Sequence, residues 1–295
     1  TGCAAADLND SRTWKNFTPK IGLQVRPSDD TQLYGFWTKG FRSGGYNMRH
    51  TAVAIPNESF DEEEQSSFEV GVKKDFADGR VRLNAAAYHN TIENMQREIN
   101  LTDPVVGVVQ LIKNTADATI TGVDIEASFV LSDSLFLSTS LGYVDGQYDE
   151  VLFDISSDGV IDRDDRALAL PRLAPWSYGA QLVYSRDFSW GELTMQASGY
   201  RRDPAKYTDN NRGSLRAADM FDASINLDFM DGRFSVSAYG KNLKDESTIG
   251  GDTQLPSTFP GSPGFPVPGL SGTKATFSPL NKGRVVGLEL IYNYE

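Results

Sequence analysis

A chain of 295 residues that is 39% hydrophobic, with negative mean hydropathy, has no apolar run long enough to cross a membrane as a helix. Its net charge of −12 argues against nucleic acid, whose phosphates need an excess of Lys and Arg. The one cysteine, Cys3, cannot form an internal disulfide and is not expected to carry a lipid.

Periodicity shows what composition hides. Stretches alternating apolar and polar residues are expected as strands over 17–26, 31–43, 66–76, 80–98, 117–131, 135–147, 175–188, 192–202, 217–229, 233–242 and 283–294. The clearest is Phe221-Asp222-Ala223-Ser224-Ile225-Asn226-Leu227-Asp228-Phe229, with odd positions apolar and even positions polar. Successive side chains on a strand point to opposite faces, so this segment has one oily side and one wet side. A soluble sandwich strand would read the same way. The connections decide between the two.

Those connections alternate in length. Short turns at 27–30, 77–79, 132–134, 189–191 and 230–232 are interleaved with longer polar connections at 44–65, 99–116, 148–174, 203–216 and 243–282. Short turns on one side and long loops on the other characterise outer-membrane β-barrels, whereas a sandwich has no reason to sort its connections. The fold expected is therefore all-β, an antiparallel transmembrane barrel portion of about eleven strands, with short periplasmic turns and long extracellular loops. A barrel escapes hydropathy because only every second residue faces lipid. The apolar run 105–112 is broken by Gly107 and Gln110 and reads as a loop patch or strand extension.

The polar faces agree. Ser67, Glu69, Gly71, Lys73 and Asp75 lie opposite Phe68, Val70, Val72 and Phe76, and Asp124, Glu126 and Ser128 oppose Val123, Ile125, Ala127 and Phe129. Regular charges against hydrocarbon would be costly, so these residues are expected to line a hydrated lumen. Phe76, Phe188, Trp190, Phe229 and Tyr294 fall near the short turns, as an aromatic girdle at the periplasmic interface would.

Four motifs carry a family resemblance. They are Tyr34-Gly-Phe-Trp-Thr-Lys-Gly-Phe-Arg-Ser-Gly-Gly-Tyr-Asn47, Ile120-Thr-Gly-Val-Asp-Ile-Glu126, Tyr239-Gly-Lys-Asn-Leu-Lys-Asp-Glu246 and Gly283-Arg-Val-Val-Gly-Leu288. In this order they resemble the barrel of TonB-dependent outer-membrane receptors of the iron-complex branch. The resemblance implies a bacterial outer-membrane receptor for energy-coupled uptake of a scarce solute, such as a ferric siderophore or similar iron chelate. Implied partners are outer-membrane lipid, the TonB complex through an N-terminal region, and the small-molecule ligand. It also implies that residues 1–295 correspond to strands 12 to 22 of a 22-stranded barrel, without the plug domain and TonB-binding segment. Such a portion would by itself neither transport nor couple. The family's closing strand usually ends on Phe, whereas here Tyr294 is followed by Glu295. The Pro-rich stretch 255–270 is expected as the last extracellular loop.

Site residues are expected in the loops. Arg42, Tyr46, Asn47 and Arg49 offer cationic, aromatic and amide groups suited to an anionic aromatic chelate, or else shape a strand end. In the segment 154–165, Asp154, Ser156, Asp158, Asp162 and Asp165 fall at calcium-loop positions 1, 3, 5, 9 and 12, with Gly159 at 6. Position 12 is Asp, not the longer Glu, and no amphipathic helices flank it, so the reading as a Ca2+ site competes with that of a solvated acidic loop. No other cofactor is expected. His50 and His89 read as structural or solvated, no nucleophile–base motif is present, and the protein is not expected to be an enzyme. Other readings are a passive pore or calcium-stabilised surface adhesin on the same barrel, and a soluble β-sandwich binding protein, lectin or enzyme.

Overall fold

The computed structural model describes residues 10–48, 58–103, 107–156, 159–211, 213–230, 232–249, 253–254, 276–277 and 280–293. All eleven expected strands are present: β1 (Lys20–Ser28), β2 (Thr31–Arg42), β3 (Glu63–Phe76), β4 (Val81–Asp103), β5 (Gly107–Ser132), β6 (Leu135–Val151), β7 (Trp176–Phe188), β8 (Gly191–Arg202), β9 (Ala218–Phe229), β10 (Phe234–Lys241) and β11 (Val285–Tyr292). They form one sheet in which each strand pairs only with its sequence neighbours. Every pairing is antiparallel. No ladder joins β1 to β11 among the described residues. The two edges run in the same direction, so pairing them with each other would need a parallel seam; the sheet is open.

Paired residues share a face, so the register fixes both surfaces. Phe229, Leu227, Ile225, Ala223 and Phe221 of β9 sit opposite Gly191, Leu193, Met195, Ala197 and Gly199 of β8. Across the sheet, Ile125 joins Ala85 and Leu141, while Val72 joins Ala85 and Leu33. This outer face leaves large apolar groups open, Phe68, Val70, Leu182, Met195, Ile225 and Leu288 among them. The inner face carries Asp222, Ser224, Asn226 and Asp228, where Asn226 hydrogen-bonds Asp228, Ser235 and Ser237. The 13 residues of β7, at ~3.3 Å each and tilted by ~40°, span roughly 30 Å, the depth of a bilayer's hydrocarbon.

Aromatic residues bound the apolar band at both ends. On the short-turn side Phe188 stacks on Trp190, which meets Phe229, which meets Phe234. On the loop side Tyr143 packs on Trp176 at 4.7 Å. Above that pair the outward residues become His89, Thr121 and Asp145, paired in one row. Tyr294 lies outside the described residues. Inside, tyrosine rings cover cross-strand glycines in the pairs Tyr34–Gly71, Tyr88–Gly122 and Tyr239–Gly287. A Cβ at Gly71 would come within 2.5 Å of the Tyr34 ring, so glycine there lets the ring lie flat on the wall.

One expectation fails. The long polar connection at 99–116 is largely strand: β4 and β5 continue past the band, pairing Ile99 with Leu111 and Leu101 with Val109. Val109 and Leu111 are buried with Ile99 packed against them, and this burial sustains a hairpin, so residues 107–112 of the run 105–112 belong to a strand extension and not to a loop patch. Register shifts at Ile92/Met95 in β4 and at Asp117/Ala118 in β5 mark where wall becomes extension. The Pro-rich stretch 255–270 and Cys3 lie outside the described residues.

Candidate ligand-binding mouth

At the loop end of β2, Arg42 falls on the same row as Thr38 and Gly40, opposite Glu63. It is exposed and lines a cavity of about 400 Å³ with Gln65 and Ser67. Arg42 is thus a cation on the inner, upper wall. Gly45–Tyr46 pairs with Ser59–Phe60, and Tyr46 meets Trp14 edge-on at 5.9 Å. Arg12 lies 5.9 Å above the Trp14 ring and bridges to Asp61 at 2.8 Å. Burial pushes the Tyr46 hydroxyl's pKa up, and the neighbouring Asp10 carboxylate pushes the same way.

Asn47 plays another part. Its amide donates to the Ile112 carbonyl at 2.8 Å and accepts from the Ile112 N–H at 2.7 Å. One side chain thereby stitches the β2–β3 connection to the extended β5. The same reciprocal clamp recurs. Asn114 bonds both backbone groups of Asp61, Asn211 those of Ala169, and Asn242 those of Glu246. A side-chain amide carries one donor edge and one acceptor, so it can imitate a strand neighbour where no strand is available. Arg49 and His50 lie outside the described residues, and His89 faces outward above the band, 3.0 Å from the Thr121 hydroxyl.

Over β4–β6 the longer connections build a second part of the mouth. Ile155, Leu170, Leu168 and Leu173 of the β6–β7 connection pack on Met95, Ala116, Ala118, Ile120 and Tyr148. Since Ile120 and Gly146 pair on the inner face, this connection folds over the lumen side of the sheet. The β8–β9 connection joins it: Arg172 N–H donates to the Lys206 carbonyl, Arg172 lies over the Tyr207 ring, and Asn211 clamps Ala169. Asp209 then reaches Arg97 at 3.4 Å, beside the buried Tyr148. Burial first, then the Asp209 charge, raises the Tyr148 hydroxyl to a pKa of about 12.

The acidic segment 154–165 is ordered by its own amides where it is described. Asp154 accepts from the Ser156 hydroxyl and the Gly159 N–H. Asp165, fully buried, accepts from the N–H groups of Ser156 at 2.6 Å and Asp162 at 3.0 Å. Asp162 caps a single helical turn, α1 (Arg163–Arg166), in a reciprocal capping box. Asp158 lies outside the described residues. Among the described residues no group of three or more His, Cys, Asp or Glu is placed to hold a metal ion.

Sequence reasoning missed Arg12, Trp14, Arg97, Tyr148 and Asp209. Trp14 and Arg12 precede the first strand, where no periodicity marks them. Arg97 sat at the margin of a misread loop. What the mouth and the polar inner wall offer chemically is recognition: cations, aromatic faces and amides around a wide opening.

A family model described as "TonB dependent receptor-like, beta-barrel" matches residues 4–243. The metal-pseudopaline receptor CntO of Pseudomonas aeruginosa is 28% identical over 166 residues, which cover 56% of this chain and 21% of that protein. The chain therefore aligns with only about a fifth of that relative's length. Among solved structures, the ferric yersiniabactin uptake receptor FyuA from Yersinia pestis superposes with a TM-score of 0.71 at 19% identity, over 91% of this chain and 36% of that one. The siderophore receptor PiuA from Acinetobacter baumannii gives 0.66 at 15% identity over 93% and 35%, and the copper transporter OprC 0.65 at 15% over 93% and 39%. At these identities the structural likeness speaks for the fold.

Proposed function

The chain belongs to the TonB-dependent receptor family of outer-membrane β-barrel proteins, and from that premise we propose that it forms one arc of a barrel importing a metal chelate, a ferric siderophore foremost. The observation that carries this reading is the polar inner wall beneath a mouth folded over the lumen side. A wall of this kind can pass a hydrated solute, and a mouth built of cations, aromatic rings and amides can select an anionic chelate. The ferric yersiniabactin uptake receptor and the copper transporter among the structural neighbours, and the metal-pseudopaline receptor, support a metal complex as cargo.

Arg42 is the cation we assign to the ligand, with Tyr46, Trp14 and Arg12 as its aromatic and basic surroundings and Asn47 as the clamp that holds them. The open edges of β1 and β11 support the idea of an arc. Unpaired backbone groups are not tolerated within hydrocarbon, so each edge calls for a further strand of a larger closed barrel. Energy coupling through TonB belongs to the same proposal. Calcium held by Asp154, Ser156, Asp158, Asp162 and Asp165 is a separate proposal, decided by calorimetry: saturable uptake that Asp158→Ala abolishes supports it, and none sinks it.

The reading is tested in iron-starved cells expressing the native protein as their sole receptor. Uptake of a labelled ferric chelate is expected, lost when TonB is deleted and weakened roughly tenfold in affinity by Arg42→Gln. Uptake that persists without TonB would make the barrel a passive pore.

A further inference from the structure

The outer face of β7–β10 is not uniformly convex. Ala197, Ala223 and Gly240 form one cross-strand row of small residues, with Ala238 in the row below. They floor an apolar groove of about 620 Å³ walled by Leu182, Met195, Ile225, Leu243 and Val286. Leu243 is fixed there: its N–H donates to the Phe221 carbonyl at 2.8 Å, the Asn242 clamp precedes it, and its side chain lies over Gly240.

On the loop side of the groove, three exposed cations flank the residues that wall it. Lys244 follows Leu243, and Lys282 and Arg284 precede Val286, whose strand pairs with β10. The backbone N–H of Arg284 donates to Asp245 at 2.8 Å, which ties the two segments together and occupies one oxygen of that carboxylate. Asp245 and Glu246 are the acids beside them. Two outward cations elsewhere on the loop-side rim are neutralised: Lys39 pairs with Glu64, and Arg201 with Asp219 at 3.0 Å. Lys244, Lys282 and Arg284 make no ion pair among the described residues. In a chain with a net charge of −12, a basic cluster at the end of an apolar groove is complementary to an anionic amphiphile.

We propose that this groove and basic cluster bind a phosphorylated, acylated lipid of the outer leaflet, with an acyl chain against Ala197, Ala223 and Gly240 and a phosphate at Lys244, Lys282 and Arg284. Apolar burial and charge attraction then act on the same molecule, each reinforcing the other's geometry. The inference uses only the outer-membrane placement of the wall and is independent of the transported solute.

The test is native mass spectrometry of the native protein released from phosphatidylcholine nanodiscs doped with diphosphoryl lipid A, or with the same lipid stripped of its phosphates. Retention of the phosphorylated form is expected to exceed the other roughly tenfold. The combined variant Lys244→Gln, Lys282→Gln, Arg284→Gln should erase that preference, and Ala223→Phe, which fills the groove, should lower retention of both lipids. If Ala223→Phe fails to assemble, the triple variant still decides, since it alters only exposed side chains. Equal retention of the two lipids, or an unchanged preference in the triple variant, overturns the proposal. Displacement of the lipid by inorganic phosphate would also overturn it, by showing a site for the free anion. Chelate uptake is expected to be unchanged in the triple variant, so failure here and failure of the import reading are separable.

Discussion

In the wall, each strand satisfies its backbone through its sequence neighbours, and apolar side chains face outward with almost nothing of the protein packed on them. At the mouth the order is reversed. Backbone groups there are completed by the side chains of Asn47, Asn114, Asn211 and Asn242, and the largest buried apolar cluster, Met95, Ala116, Ala118, Tyr148, Ile155 and Leu170, sits above the band. The contrast follows from the solvent. Lipid supplies the apolar surroundings of the wall, so the wall needs regular hydrogen bonding and no core. The mouth stands in water and must make its own core, so it needs cross-links of high sequence separation. The wall should therefore be sensitive to which face a charge falls on, and the mouth to the loss of single contacts.

The sharpest way to break this contrast is to place one charge on each side of the same strand. Ala85 and Ala86 are adjacent on β4; Ala85 pairs with Val72 and Ile125 on the outer face, Ala86 with Gly71 and Asp124 on the inner. Ala85→Lys is expected to destabilise the assembled wall by about 2–4 kcal/mol, the cost of a cation near the bilayer midplane. Ala86→Lys, beside Asp124, should cost little. Denaturant unfolding followed by the heat-modifiable shift in gel mobility measures both. Equal losses would mean that the faces are assigned wrongly.

A change of nearly the same size should touch the mouth alone. Leu170 is 4% exposed and packs in the mouth's cluster, so Leu170→Ala is expected to cost about 2–4 kcal/mol locally. Limited proteolysis should then cut within 152–175 while the wall keeps its gel shift. If the wall melts with it, mouth and wall are one cooperative unit.

How much of this was legible follows the same division. All eleven wall strands could be read, because alternation such as Phe221–Phe229 is imposed residue by residue by two different solvents. The mouth could not be. Asn47 looked like a ligand group because an amide's partners, here Ile112 at 65 residues' separation, leave no trace in local sequence. Arg97 and Asp209 meet only once two connections have folded. The extension of β4 and β5 was hidden for a related reason. Above the membrane both faces are aqueous or loop-covered, so Ile99–Leu111 keeps strand pairing without clean alternation.

A smaller effect sharpens the role of the amide clamps. Asn211→Ala removes the donor to the Ala169 carbonyl and the acceptor for its N–H, at 2.7 and 2.9 Å. The expected cost is about 1–3 kcal/mol, confined to the junction of the β6–β7 and β8–β9 connections. Amide hydrogen exchange should accelerate at Ala169 and leave β9 and β10 unchanged. Asn211→Asp keeps the acceptor but loses the donor, so it should fall between the two. Exchange that rises throughout the wall would show that the clamps serve the barrel as a whole.

The smallest effect at neutral pH belongs to Tyr148, and it appears only in alkali. Tyr148 lies above the aromatic girdle, on a strand whose outward neighbours Asp145 and Gln147 are polar, so its titration concerns the mouth and not the bilayer. Its hydroxyl is raised from an ordinary value of 10 to about 12 by burial and by Asp209. A folded-state pKa above the unfolded one means that the neutral phenol is favoured by folding. That contribution is fully present below pH 10 and is lost as pH rises through about 12. The mouth should therefore loosen between these values, read as faster proteolysis at 152–175, while the wall's gel shift persists. Tyr148→Phe cannot ionise, so it should remove this alkaline transition and leave only what other groups contribute. A transition of the same midpoint and size in Tyr148→Phe would mean that the phenol does not govern it, and that the packing of Leu170 and Ile155 alone holds the mouth together.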